Sequence, residues 1–481
     1  MPFRIAQLPC DNKFSPHFSV ALLERIYPRD LVCDLLTQFH LWEERERKLN
    51  QLVMVYLLIA WHLFLNESVR SVFLHLSAGL RLVGHMSMSQ VPTKGAFLHR
   101  RKQLGVRLLR TLLRRVCKPL ATPHTPGAFA FGYRLVAIDG TLEDVADSPA
   151  NARFFGRISA GKTASPFPQA RCVYLVEAAT HLIFDAIVAP CQASEQRLCW
   201  GLLRSITAGM LVLLDRGFVS GAFLEALQQR GALVLARLAP DIFLTREKEL
   251  GDGSYLTTLS PRSCKGLHHP LTVRVIEYWI KPEIAQVLVA QPPSRMHSHS
   301  DGTNPGAGQL HRLVTTLLDP LAYPALELCV LYHERWEIEL TIDESKNHLR
   351  ISQSPLRSCL PLLALQELSA LLLTHYAIRV VMLDAAQSHP PLDPDRISFI
   401  LCVQALRDAT ILSVQTPSLL LDTVMSNLHA SLVVKGSLLA PRRLRFNCRV
   451  VKRICTRFRR KRPHHLNLAL PHLTFSDILL I

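Results

Sequence analysis

Apolar positions recur at helical spacing from Leu331 to Leu349, behind a Tyr323-Pro324 start of the kind proline favours in a first turn. Wound at about 100° per residue, Leu331, Ile338, Ile342 and Leu349 gather on one side as a buried stripe. Tyr332, Arg335, Glu339 and Lys346 fall within an arc of roughly 60° on another face. Glu334, Glu337, Thr341 and Glu344 fill the opposite side, which the pattern assigns to solvent. One helix edge thus carries a single acid among two cations and a tyrosine, a composition suited to an anionic partner.

Elsewhere the period shortens. Arg134 to Asp139 and Leu211 to Asp215 are short apolar runs, each ending in an aspartate. A continuous apolar run reads as a buried strand, and an acid at its C-terminal end emerges where open sheets bind ligands. Between them the spacing predicts strands near 171–177 and 181–188, turning at Ala179-Thr180-His181, and a helix from about Ser194 to Ile206. A helix near 219–229 and a strand at Ala232–Leu238 follow, then an interruption, then the Glu339 helix. Three strands, helix, strand, helix, strand and a final helix is the connectivity of a ribonuclease H-like α/β fold. The interruption, 239–318, is punctuated by Pro240, Asp252-Gly253 and Pro261, with paired strands expected at Leu271–Ile280 and Gln286–Ala290 and a return strand at Leu313–Leu318. The tract Pro292–Gly308, which contains His297, His299 and Asp301, reads as a hairpin tip rather than a metal cluster, because Ser, Gly and Pro dominate it.

The 481 residues suffice for two or three domains, and 49% are hydrophobic, so the chain is globular rather than disordered. Leu52–Leu65 is almost wholly apolar but shorter than the about 20 residues a membrane span requires, so it is expected as a buried helix and no membrane partner is expected. No secretory leader opens the chain, which predicts a cytoplasmic, nucleoid-associated location. Twelve cysteines without a Cys-x-x-Cys pair argue for reduced, packed thiols, and Cys448, Cys455, His464 and His465 fit no common zinc module. The formal charge is +17. Lys94–Lys118 holds nine Lys or Arg and no acid, including Arg100, Arg101, Lys102, Arg110, Arg114 and Arg115; Lys435–His465 holds twelve more. Such stripes suit a polyphosphate, with contacts that position rather than specify.

The spacing Tyr332, two residues, Arg335, three residues, Glu339, six residues, Lys346, together with the Asp139-Gly140 and Asp215-Arg216-Gly217 motifs, resembles insertion-element DDE transposases of the IS-four family over nearly the whole chain. Arg25–Leu49, Ser68–Phe73 and Pro92–Gly105 are similar to the family's helical N-terminal domain, although Gln103 stands where an Arg is commoner. The resemblance implies a helical DNA-end-binding domain at 1–125 and a ribonuclease H-like catalytic domain at 130–375, interrupted by a β-rich insertion at 239–318. A helical and basic region would follow at 376–481. It further implies cut-and-paste transposition through a hairpin intermediate, with Asp139, Asp215 and Glu339 holding two Mg²⁺ or Mn²⁺ ions and Asp139 bridging them. Asp343 is the rival acid on the helix. Arg335 and Lys346 would clamp phosphates, Tyr332 would pack against the backbone or bond to a phosphate, and Arg100, Arg101 and Lys102 would contact DNA. Expected partners are double-stranded DNA, as transposon ends and target, and a second copy of the chain on paired ends. A structure-specific nuclease of the same fold and a catalytically silent DNA-binding derivative remain as alternatives.

Overall fold

Uninterrupted apolar runs become strands with both faces covered. In the computed structural model the described residues are 20–44, 49–64, 67–78, 88, 91–160, 163–238, 242, 244–261, 266–280, 310–350, 354–414, 420–443 and 479–480. The main strands are β1 (Tyr133–Asp144), β2 (Gln169–Glu177), β3 (Leu182–Pro190), β4 (Met210–Leu214) and β5 (Leu233–Arg237), followed by β6 (Tyr255–Leu259), β7 (Leu271–Ile280) and β8 (Leu310–Thr315). Residues Leu135–Ile138 of β1 and all of β4 are buried. The expected strand at 286–290, the 292–308 tract and the basic stretch 444–478 lie outside the described residues.

The chain divides into two compact units, each drawn from segments far apart in sequence: 1–128, 139–202 and 337–441 in the first, and 129–138, 203–336 and 442–481 in the second. In the second, β1 and β4 run parallel from Arg134 opposite Met210 to Ile138 opposite Leu214, and β4 is parallel to β5. The strands of the interruption extend the same sheet antiparallel, in the order β5, β8, β7, β6. Leu271–Ile280 therefore pairs with 255–259 and 310–315. In the first unit β2 and β3 form the expected antiparallel hairpin, with β2 the neighbour of β1. Parallel β1, β4 and β5 with antiparallel β2 and β3 constitute a ribonuclease H-like core.

Helices supply the rest of the first unit. Asn50, Ser68 and Thr93 each accept from a backbone N–H three residues on and start the helices Gln51–Trp61, Val69–Leu76 and Lys94–Leu104. Every residue of Gln51–Trp61 is buried, as its apolar sequence predicts. The 27-residue helix Pro361–Gln387 is long and apolar enough to cross a membrane, yet 89% of its most apolar window is buried inside the protein, which makes it a core helix. Behind β1, Leu356 N–H donates to the Asp144 carbonyl at 2.8 Å and Arg350 reaches Glu143 at 2.7 Å, so the chain after the Glu339 helix is tied to this strand.

The expected continuous helix through 331–349 is corrected. It is two segments, Ala325–His333 and Trp336–Asp343, followed by a π turn over Glu344–His348. At the break, Glu334 and Arg335 N–H groups bond only three residues back, tightening the backbone; at the far end Leu349 N–H bonds five back, to Glu344, widening it. Neither end keeps the 100° step, so the inferred 60° arc does not persist.

Within the second unit a fully buried arginine fixes the start of the first segment. Arg274 donates to Ser254 Oγ at 2.7 Å and the Tyr323 carbonyl at 2.6 Å and is ion-paired with Asp252, whose carboxylate also accepts from Ser254 and, at 3.0 Å, from Ala325 N–H. Replacing Arg274 by Leu removes the cation from Asp252 and a donor from the Ser254 hydroxyl and the Tyr323 carbonyl. We expect a loss of about 3 kcal/mol, read as an earlier denaturant midpoint of this unit; an unchanged midpoint would contradict the role given to Arg274.

Candidate active site

Asp139 does not end its strand, as the apolar run suggests; it sits midway along β1, half-buried directly after four buried residues. Its Oδ1 accepts from Gly140 N–H at 2.7 Å. Gly140 leaves room for a neighbouring acid: a Cβ there would lie 2.5 Å from Cδ of Glu195, whose carboxylate is paired with Arg171. Asp215 follows β4 directly and opens a short 3₁₀ turn, its carbonyl accepting from Phe218 N–H at 3.0 Å. Ile138 and Leu214 are register partners on parallel strands, so Asp139 and Asp215 are each the next residue after a paired position.

Tyr332 is buried rather than presented to a phosphate. Its hydroxyl donates to the Leu214 carbonyl at 3.1 Å, one residue before Asp215. Burial pushes the phenol above its ordinary range; Arg335 opposes that shift and Asp215 adds to it. Arg335 is also buried, 5.8 Å from the Trp336 ring centroid. Tyr332 therefore braces the end of β4, with the Arg335 guanidinium beside its phenol.

Glu339 is half-buried on Trp336–Asp343, and Lys346 is half-buried in the π turn. The rival Asp343 is occupied: His348 holds its carboxyl below the usual range, and Asn347 donates to it as well. The side of the helix assigned to solvent is the buried one. Glu334, Glu337, Thr341 and Glu344 are all at most 8% exposed. Glu334 pairs with Arg443 at 3.0 Å. His181, at the β2–β3 turn with φ of 57°, places Nε2 2.7 Å from Glu337 Oε2 and 3.4 Å from Asp395 Oδ1, and Nδ1 3.2 Å from Glu344 Oε1. Glu344 is further held by Arg379, through Nε at 2.9 Å and Nη2, and by His375 Nε2 at 3.1 Å. The donor atoms of His181, Glu337 and Asp395 lie within 4.8 Å of one another, which is the metal-capable grouping among the described residues; it contains none of Asp139, Asp215 or Glu339. Sequence reasoning missed this cluster. Its signal was a His and an Arg four residues apart, His375 and Arg379, inside the mostly apolar, buried stretch 370–382, since buried charges demand partners.

The basic triplet divides. Arg100 is buried, 3.2 Å from Glu43 and 2.9 Å from Gln103. Arg101 is buried too; it donates to Gln366 and Ser358 at 2.9 Å and lies over the Trp61 ring. Both guanidiniums are turned inward, which corrects their expected placement on a DNA-facing surface; Lys102 is exposed. The following helix, Arg107–Val116, buries Leu108, Leu109, Leu112 and Leu113 and exposes Arg107, Arg114 and Arg115.

Comparison with known proteins agrees with this layout. The family profile described as insertion element 4 transposase N-terminal matches residues 17–114, and the transposase DDE domain profile matches 130–359. The chain is 26% identical to the transposase InsG for insertion sequence element IS4 of Escherichia coli K12, over 74% of this chain and 75% of that protein. It is 24% identical to the putative transposase InsZ of the same strain, over 46% of this chain and 72% of that protein. Among solved structures, the piggyBac transposase in a synaptic complex with hairpin DNA aligns with a TM-score of 0.42 and 11% identity, covering 87% of this chain and 86% of that one.

The His181 cluster makes stability depend on pH. Burial and Arg379 pull the imidazole down, but Asp395, Glu344 and Glu337 outweigh them and push it up to about 9. A raised folded value stabilises fully below the unfolded value of about 6.5 and is lost as pH rises through about 9. His375, held low by burial, has the opposite sign: it favours folding as pH rises through about 6.5, where the unfolded imidazole loses its proton, so it opposes the trend only at the lower end of that window. The melting temperature should therefore fall between pH 6.5 and 9.5, and more shallowly in His181→Gln; a wild-type profile as flat as the variant's would contradict a protonated His181.

Proposed function

Because the chain belongs to the IS4 family of DDE transposases, we propose that it binds the terminal inverted repeats of its element, hydrolyses the phosphodiester at each end, and joins the freed ends to target DNA. Asp139, Asp215 and Glu339 are the acids of that reaction in this reading, and the register of β1 against β4 is the observation that carries it. Residues in step on adjacent parallel strands, about 4.8 Å apart, turn their side chains to the same face. Asp139, midway along β1, and Asp215, directly after β4, each follow a register-paired residue and are in this reading the two hard oxygen donors.

A DDE transposase domain implies use of a divalent metal. The donor set fits: carboxylate oxygens suit Mg²⁺ or Mn²⁺, and bare carboxylates brought together repel at about 4 kcal/mol per close pair, taking an effective dielectric near 20 at 4 Å. Two such ions, when bound, stabilise the attacking and leaving oxygens of an in-line displacement. The protein's own part is placement. Asp139, Asp215 and Glu339 supply the oxygens, Tyr332 fixes the end of β4 through the Leu214 carbonyl, and Arg335 offsets negative charge beside Asp215. Lys346, half-buried rather than sequestered, is the signature residue suited to a DNA phosphate. Lys102 and the exposed arginines of Arg107–Val116 supply backbone contacts outside the acids. The reaction proceeds through a hairpin on the transposon end, within a homodimer on paired ends, and where the chromosome is.

In purified protein with terminal-repeat DNA and Mg²⁺, Asp139→Asn, Asp215→Asn and Glu339→Gln should each lower cleavage by at least about 10³-fold, the equivalent of roughly 4 kcal/mol. Asp343→Asn should stay within about tenfold, and gel-shift affinity should be retained throughout. Wild-type protein should also join the cleaved ends to a target plasmid; cleavage without joining would favour the nuclease alternative. For the DNA surface, Lys102→Ala and Arg114→Ala should each reduce the slope of log affinity against log salt by about 0.9. Arg101→Met should instead lower stability and leave the slope alone, and the opposite assignment of effects would overturn this division of the basic residues.

A further inference from the structure

The segment carrying Glu339 is a free-standing eight-residue helix, with a tightened turn at one end and a widened one at the other. Ile338 and Thr341 bury one side of it, and two buried acids, Glu337 within it and Glu344 just after it, take partners at fixed points of the first unit. Glu337 lies two residues before Glu339 and Glu344 five after it, seven residues apart and therefore on nearly the same face. Each meets a different part of the first unit. Glu337 takes His181 from the β2–β3 turn at 2.7 Å, and Glu344 takes Arg379 and His375 from the core helix Pro361–Gln387. Asp395, on the short turn Pro394–Arg396, closes the group at 3.4 Å from His181. All six side chains are at most 8% exposed.

We propose that this network is a positioning device: the two clamped acids, Glu337 and Glu344, set the rotation of their helix and so the aim of the Glu339 carboxylate. The proposal rests on the reading of Glu339 as a metal ligand. A rotation of about 10° moves a group about 6 Å from the helix axis by about 1 Å, and a displacement of that size can cost on the order of 10²-fold in rate. Hydrogen bonds, not a resident ion, hold the cluster together. Two ligands about 2 Å from a tetrahedral ion sit about 3.3 Å apart, whereas His181 Nε2 and Glu337 Oε2 are 2.7 Å apart, and the guanidinium of Arg379 already brings a cation to the group.

The test uses full-length protein and two readouts. Glu337→Gln keeps size and removes charge, and Arg379→Lys keeps charge and removes the fork. Both should weaken Mn²⁺ binding, measured calorimetrically without DNA, by about 10–100-fold. Both should slow single-turnover cleavage by a similar factor, with terminal-repeat affinity in Ca²⁺ unchanged. Two variants guard against one that fails to fold, and circular dichroism identifies it. Glu339→Gln is measured alongside. If it binds Mn²⁺ normally, the assignment of Glu339 fails and the positioning role falls with it. If it is impaired while folded Glu337→Gln and Arg379→Lys bind and cleave like wild type, the positioning role alone is overturned. A stoichiometric transition metal in the purified protein, absent from His181→Asn, would overturn it as well.

Discussion

A carboxylate withdrawn from water must find a cation or a bound proton, because an unpaired buried charge is among the most unfavourable groups a fold can hold. Residues 334–350 carry that constraint to an unusual degree. Glu334, Glu337 and Glu344 are buried, as are Arg335 and Arg350, and the segment's path follows from where their partners stand. Glu334 goes to Arg443, Glu337 to His181, Glu344 to Arg379, and Arg350 to Glu143 on β1. An ideal helix cannot meet four fixed partners at its own 100° phase. The tightened turn at Glu334–Arg335 and the π turn at Glu344–His348 are where this one gives up regular geometry to reach them.

That conflict also explains what could be read from the sequence and what could not. The strands were legible. Strands with both faces covered print a continuous apolar run, and the expected 134–139, 171–177, 181–188, 211–215 and 232–238 fall on β1 to β5, although β1 runs five residues past Asp139 to Asp144. The helix wheel over 331–349 found the buried stripe of Ile338 and Leu349 but sent the acids to the wrong side. It treats a charged residue as a solvated one, and the partners that overturn this, His181 for Glu337 and Arg379 for Glu344, lie 156 and 35 residues away. Wheel analysis has no term for a charge neutralised across such a distance.

The basic triplet failed for a more local reason. Arg100, Arg101 and Lys102 are successive helical residues, so they point about 100° apart and cannot share one outward face. Counting charge along the chain registered three cations where the helix can present only part of them. Lys102 faces water, while Arg101 lies over Trp61 and bonds to Gln366 and Ser358. Arg107–Val116 behaves as the count suggests, because its leucines at 108, 109, 112 and 113 claim the inner face and leave its arginines nowhere else to go.

The signature itself takes on a structural meaning. Tyr332 and Arg335 stand in the compact unit that contains Asp215, and Tyr332 bonds directly to the strand end before that acid. Glu339 and Lys346 stand in the unit that contains Asp139, with Glu143 and Arg350 tying β1 to the segment's far end. The three residues between Arg335 and Glu339 are where the chain passes from one unit to the other. A fixed spacing there need not reflect a single helix face. It is equally the spacing required if each half of the motif is braced by its own set of buried partners, Tyr332 at the strand end before Asp215 and Glu337 two residues before Glu339.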